Sequence, residues 1–260
     1  METQHENRPV GAEGVSFIIP AFNEEGYLPA TLDAIRKAAT EEEIPYEIIV
    51  VDDASTDKTG QIARAQSCKV VEVSLRNIGA VRNAGANAAT KQSLIFVDAD
   101  TLVQPGTLSE TIKALNEGAA GGGADVGLSG ERVGFIPWLL YLLIRFVWQT
   151  LGRWAAGCYM FCKRDIFHEF GGFDEQYFAA EELFFSRQVK RRGKFVIVST
   201  PVITSSRKLQ QYSVPQLFRF VLRPLLAGRN ALKSRKGLEL LYEDRREDRR
   251  QSSEGPASSD

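Results

Sequence analysis

The chain has 260 residues, with 32 Lys+Arg against 33 Asp+Glu, a formal net charge of -1 and 43% hydrophobic residues. This length and apolar content exclude wholesale disorder and suit one large domain or two small ones. The balanced charge lacks the domain-wide basic excess of a nucleic-acid binder, so no nucleic-acid partner is expected. Three cysteines, Cys68, Cys158 and Cys162, are too few and too unevenly spaced for a disulfide framework, and the polar first residues contain no apolar signal core. The expected setting is reducing and cytoplasmic.

Residues 1–14 and 243–260 are polar or charged and read as mobile tails. Between them, the β-branched runs VSFIIP (15–20), YEIIVV (46–51), KVVEVS (69–74) and SLIFV (93–97) predict strands. Leu28, Leu32, Ile35 and Ala39 recur at helical spacing, and the small residues from Ala80 to Ala89 predict a second helix. Strands alternating with helices at this spacing imply parallel neighbours joined by crossovers, so the fold class is α/β with a mostly parallel sheet. The run EGAAGGGADV after Asn116 reads as flexible and places a soft boundary near Gly118, dividing the chain into 15–118 and 119–242. Beyond it, FIPWLLYLLIRFVWQTL (135–151) is too short and too interrupted by Arg145 to span a bilayer. It suits a helix packed on the sheet, lying in a membrane interface or lining an acceptor groove. FVIVS (195–199) reads as a further strand. From Arg187 to Lys236 there are 13 Lys+Arg and no acid, which points to peripheral contact with anionic lipid or a phosphorylated acceptor.

In an open parallel sheet, ligands collect at the carboxyl ends of the strands. Here those ends carry Pro20-Ala21-Phe22-Asn23-Glu24-Glu25, Asp52-Asp53-Ala54-Ser55-Thr56-Asp57 and Asp98-Ala99-Asp100. If the last segment is extended, Asp98 and Asp100 leave it on the same side. Two hard anionic oxygens so placed suit Mg²⁺ or Mn²⁺ held mainly by substrate phosphates. Asp57 reads equally well as a helix cap. Cys158 and Cys162, four apart in an apolar run, read as buried thiols rather than metal ligands.

The succession FIIPAFNEEGYL (17–28), IIVVDDASTD (48–57), RNIGAVRNAGANAA (76–89) and FVDAD (96–100) resembles the nucleotide-binding half of the inverting glycosyltransferases of family 2. GCYMFCKRDIFHEFGGFDE (157–175) and AEELFFSRQVKRRG (180–193) resemble that family's stretch before its acidic catalytic motif and the motif itself. The resemblance implies a single large GT-A domain, with 15–118 as the nucleotide-sugar half and 119–242 as the acceptor and catalytic half. It also implies that Pro20, Ala21, Phe22 and Glu24 line the nucleotide, Asp53 bonds the base, and Arg82 and Asn83 close over it. Asp98 would face the ribose or sugar, and Asp100 would bind a divalent cation on the diphosphate. Glu182 stands at the position of the catalytic base, beside Glu181, where the family most often has Asp. The base is therefore Glu182 or Glu181, or an already ionised acceptor dispenses with one. The implied donor is a UDP-sugar or, failing that, a GDP-sugar; the acceptor is a lipid or lipid-linked phosphate. Two other readings compete: a sugar-nucleotide binder without turnover, and a phosphatase with Asp98 of DADTL (98–102) as nucleophile.

Overall fold

The computed structural model describes residues 13–129, 152–177 and 181–205. The predicted helix over 135–151, the basic segment 214–233 and the tail 243–260 lie outside the described residues. Strands β1 (Val15–Ala21), β2 (Tyr46–Asp53), β3 (Lys69–Val73) and β4 (Ser93–Val97) are joined by helices α1 (Leu28–Glu41), α2 (Thr59–Ala65) and α3 (Ile78–Ala88). There follow β5 (Thr101–Leu102), α4 (Pro105–Asn116), β6 (Ala119–Ser129), β7 (Tyr159–Lys163), α5 (Arg164–Glu169), α6 (Glu181–Arg192) and β8 (Lys194–Ser205).

All eight strands form one sheet in the order β3-β2-β1-β4-β7-β6-β8-β5. β1 lies parallel to β2 and β4, and β2 lies parallel to β3. β7 runs antiparallel to both β4 and β6, after which β8 is again parallel to β6. The fold is the expected α/β type, with helices on both faces. Because the central strands are covered on both sides, they read as continuous apolar runs; all seven residues of β1 are buried. Side chains alternate between the two faces. Phe17, Ile19, Ile95 and Phe161 pack with Leu28, Leu32 and Ile35 of α1 and with Leu108 and Leu115 of α4. Ile18, Phe96 and Met160 pack on the opposite face with Val81 of α3, Phe167 of α5 and Phe185 of α6.

The expectation of a flexible segment after Gly118 is corrected by the structure. AAGGGADVGLS is β6, an interior strand between β7 and β8. Its glycines answer a shortage of space. A Cβ on Gly122 would meet the Val196 carbonyl oxygen and stand 2.8 Å from Cζ of Phe161. The sheet therefore runs across the change in composition near Gly118. The small residues of α3 have a similar cause: a Cβ on Gly85 would meet Ile18 and come within 2.8 Å of Val51 Cγ2, so helix and sheet approach closely only without one.

Candidate active site

The carboxyl ends of β2, β1 and β4 are neighbours on one edge of the sheet, and they bring the three polar loops together. The first two loops staple each other. The Asn23 amide N–H donates to Ser55 Oγ at 3.0 Å, and Asn23 Oδ1 accepts from the Thr56 amide at 2.8 Å. Glu24 N donates to Thr59 Oγ1 at 2.8 Å, Glu25 N donates to Asp57 Oδ2 at 3.1 Å, and Glu25 Oε2 accepts from Lys58 N. Asp57 also accepts from Thr59 N at 2.9 Å, so its role here is to brace the entry to α2. Pro20 and Ala21 are buried in β1, Glu24 is buried, and Phe22 is half-buried at the loop. Asp53 is buried and accepts from the amides of Leu75 at 2.7 Å and Arg76 at 2.9 Å, which ties the start of the β3–α3 loop to the end of β2.

Asp98 and Asp100 do not occupy an extended segment, contrary to the expectation that would align their side chains. The Thr101 amide donates back to the Asp98 carbonyl at 3.1 Å, closing a turn. The two carboxylates consequently have different partners. Asp98 Oδ1 accepts from Arg82 Nη2 at 2.9 Å, whereas Asp100 Oδ1 stands 3.5 Å from Thr204 Oγ1 of β8. The Ser205 amide donates to the Asp100 carbonyl, so the far end of β8 is joined to the same turn.

Arg82 organises the centre. It projects from α3 and is only 2% exposed, yet it carries a full charge. Its Nη1 donates to Glu181 Oε1 at 2.6 Å, and its Nη2 donates to Asp98 and to the Gly157 carbonyl, both at 2.9 Å. The guanidinium lies 5.6 Å from the Phe173 ring centroid. Burial works against its charge, but Asp98 and Glu181 outweigh burial and hold the guanidinium above its ordinary value. Segments separated by as many as 99 residues are thereby fixed to one another.

Glu181 and Glu182 open α6, where the helix dipole favours acids. Glu181 is buried and committed to Arg82. Glu182 is half-buried, and a Cβ on Gly157 would lie 3.9 Å from its Oε2. Burial, followed by the neighbouring Glu181 and Asp98 charges, pushes the Glu182 carboxyl up to about 8, with Arg82 pulling the other way. The pair thus divides into an ion-paired acid and an acid that retains its proton near neutrality.

Asn83 lies apart from this group. Its Nδ2 donates to the Phe173 carbonyl at 2.9 Å and its Oδ1 accepts from the Phe173 amide at 2.8 Å, so the side chain braces the loop after α5. Asn77 does related work that reading the sequence missed. It caps α3 through Oδ1 to Ala80 N and donates Nδ2 to the Glu175 and Tyr177 carbonyls. An Asn just before a helical run was the available signal. The Gly157 carbonyl gave none. Phe96, Phe167, Phe173 and Phe185 pack together in the core on this face, in edge-to-face, tilted and stacked pairs.

Among the described residues, no group of three or more His, Cys, Asp or Glu is placed to hold a metal ion. The chemistry of the donor set fits a more limited role. Asp100 and the Thr204 hydroxyl offer hard oxygen, while Asp98 is already neutralised by Arg82. A divalent cation here would draw most of its ligands from a substrate's phosphates.

A mixed sheet with polar loops gathered at its parallel carboxyl edge, and a pair of acidic side chains facing them from a later helix, is the architecture of an α/β enzyme. The sequence model of glycosyl transferase family 2 matches residues 16–171, more than half of the chain, and the protein belongs to that family. The chain is 33% identical over 110 residues to an uncharacterised glycosyltransferase of Mycobacterium tuberculosis, a match covering 42% of this chain and 47% of the relative. It is 34% identical over 111 residues to the undecaprenyl-phosphate 4-deoxy-4-formamido-L-arabinose transferase of Serratia proteamaculans, covering 40% and 34% of the two chains. The match thus spans about half of the first relative's length and about a third of the second's. The fold is shared with S. aureus TarS in complex with UDP-GlcNAc (TM-score 0.60, 21% identity, 80% of this chain and 64% of that one). It is shared also with the mannosyltransferase PcManGT of Pyrobaculum calidifontis in complex with GDP-Man and Mn²⁺ (TM-score 0.59, 23% identity, 81% and 61%). Glucosyl-3-phosphoglycerate synthase of M. tuberculosis in complex with Mn²⁺ and UDP-glucose has a TM-score of 0.60 at 19% identity, covering 84% and 80%. GT-A glycosyltransferase structures of this kind establish the fold class.

Proposed function

We propose that this protein transfers a sugar from a nucleoside-diphosphate donor to an acceptor by a single displacement that inverts the anomeric carbon. The observation that carries the reading is the division of labour between Glu181 and Glu182. Arg82 holds Glu181 in an ion pair at 2.6 Å, which leaves Glu182 as the base. A carboxylate with an elevated pKa is the stronger proton acceptor, and it is well matched to a reaction near neutral pH. Attack by the acceptor on the face opposite the leaving group needs no covalent enzyme intermediate.

On the donor side, the loops after β1 and β2, stapled through Asn23, Ser55 and Thr56, form the nucleotide cradle, with Phe22 beside the base and Asp53 at the floor. Asp98, oriented by Arg82, faces the ribose or sugar. Asp100 would hold a divalent cation, which when bound supplies charge neutralisation on the departing diphosphate. Asn83 acts behind this surface by fixing the loop that follows α5. UDP is the favoured donor nucleotide and GDP the alternative, a choice supported by the ligands of the structural neighbours. The Serratia relative supports a lipid-linked phosphate acceptor, and hence work at the cytoplasmic face of a membrane. Free Cys68, Cys158 and Cys162 accord with that compartment. The phosphatase reading has no comparable support, because its nucleophile Asp98 is bound by a buried guanidinium.

The test is to incubate the purified protein and Mn²⁺ with a panel of nucleotide sugars and measure nucleoside diphosphate release. Release from one or more UDP- or GDP-sugars, abolished by Asp100→Ala, is expected. Release that is indifferent to both the cation and Asp100 would overturn the assignment.

A further inference from the structure

The charged surface of α6 beyond its acidic start contains cations that the active site does not use. Arg187, Lys190 and Arg191 are exposed on its last two turns, and exposed Arg153 lies beside them on the segment that precedes β7. This segment is pinned to the helix at two points. Lys190 Nζ donates to the Gly152 carbonyl at 2.8 Å, and the Ala155 amide donates to the buried Ser186 Oγ at 3.0 Å. Between those anchors Arg153 is held at φ 47, a left-handed conformation that a non-glycine residue keeps only when its surroundings enforce it.

Two neighbouring cations have an acid beside them: Arg192 pairs with Glu169 at 3.0 Å and Lys194 with Glu117 at 3.5 Å. Arg153, Arg187 and Arg191 have no acidic partner among the described residues. Arg187 and Lys190 are one helical turn apart and so share a face. Their crowding has an electrostatic trace. Burial first, then Arg153 and Arg187, lower the Lys190 ammonium below its ordinary value. Like charges kept together at such a cost call for an anionic counterpart. Aromatic rings are interleaved with them: Lys190 lies 5.1 Å from the Phe195 ring centroid, and half-buried Trp154 adjoins Arg153.

We infer that the edge made by Arg153, Arg187, Lys190 and Arg191 docks on an anionic phospholipid surface. Cations combined with an amphipathic ring, that of Trp154, match the charged headgroup layer better than they match a soluble polyanion, which has no apolar level for the ring. Chain continuity points the same way, because the most apolar stretch of the sequence, 135–151, leads directly into this edge. The inference rests on the proposed lipid-linked acceptor and adds an orientation. Glu182 and Lys190 are eight residues apart on one helix, about 12 Å along its axis, so a bilayer at this edge brings headgroup-level acceptors near the base.

The test is co-sedimentation of the full chain with phosphatidylcholine vesicles, with and without phosphatidylglycerol, at low and high salt. Binding that requires phosphatidylglycerol and weakens with salt is expected. In the triple variant Arg153→Asn, Arg187→Gln, Lys190→Gln, partitioning should fall on the order of a hundredfold, since each cation near the surface contributes roughly fivefold. Its vesicle-free release of nucleoside diphosphate should match wild type, which also reports correct folding. The control variant Lys37→Gln, Lys58→Gln, Lys113→Gln, on or capping helices of the opposite face, should bind vesicles as wild type does. Equal losses in the two variants, no loss in the first, or binding to soluble polyphosphate but not to vesicles would overturn the inference. If nucleotide-sugar turnover is absent from wild type, the proposed function fails, whatever the vesicles show.

Discussion

Replacing Arg82 by Met removes the charge while keeping much of the side-chain volume at a position only 2% exposed. The substitution strands Glu181, whose side chain is 9% exposed and loses its 2.6 Å partner. It also deprives Asp98 and the Gly157 carbonyl of a donor, although Asp98, at 23% exposed, can recover water. Removing one member of a buried ion pair costs about 3–5 kcal/mol, and the partial exposure of Asp98 argues for the middle of that range, about 4 kcal/mol. At roughly 2–4 °C per kcal/mol for a domain of this size, the thermal midpoint should drop by about 8–16 °C. Differential scanning calorimetry of Arg82→Met, Glu181→Leu and the double variant measures this directly. The double variant should recover at least about 2 kcal/mol over Arg82→Met, because an apolar pair replaces an orphaned charge. A loss below about 1 kcal/mol in Arg82→Met, the worth of an exposed pair, would refute the view that this arginine holds the site together.

Four further outcomes follow from the structure. Glu182→Gln should retain donor affinity, measured by calorimetric titration, while losing transfer by about a hundredfold or more. For wild type, kcat/KM should climb with pH and level off above about 8, because the base must shed its proton; a flat profile would contradict that role. Since folding raises this carboxyl's pKa, wild type should lose stability as pH rises from about 4.3, the unfolded value, to about 8, and Glu182→Gln should not, by urea unfolding at each pH. Gly122→Ala should fail to give soluble folded protein, or should lose more than the usual ~1–3 kcal/mol of an overpacked core, because its methyl has only the Val196 carbonyl and the Phe161 ring to meet.

Much of the first half of the fold was legible because buried parallel strands leave an unbroken β-branched signature, as in Phe17 to Ile19 and Ile48 to Val51. The apolar residues spaced along α1 were legible for the corresponding reason: Leu28, Leu32, Ile35 and Ala39 all reach the core. β6 was hidden because its glycines look like linker composition, and their purpose lies in Phe161 and Val196, distant in sequence. The polar strand ends identified the site edge correctly, whereas the partners of each side chain were out of reach. Arg82 is joined to acids 16 and 99 residues away, and Asp53 and Asn83 make their hydrogen bonds to backbone that only the tertiary fold supplies. The alignment expected of Asp98 and Asp100 failed because a backbone turn intervenes, a detail that an alternating pattern does not encode.

The central claim is that a nucleoside diphosphate sits across the loops of β1, β2 and β4 with its phosphates at Asp100 and its sugar toward Glu182. A crystal structure of the protein with a UDP-sugar and Mn²⁺ measures this most directly. The account predicts a cation held at Asp100 beside the diphosphate, the base against Phe22 and Asp53, and Glu182 on the side of the anomeric carbon away from the phosphate. Donor bound elsewhere, or an anomeric carbon turned away from Glu182, would contradict it.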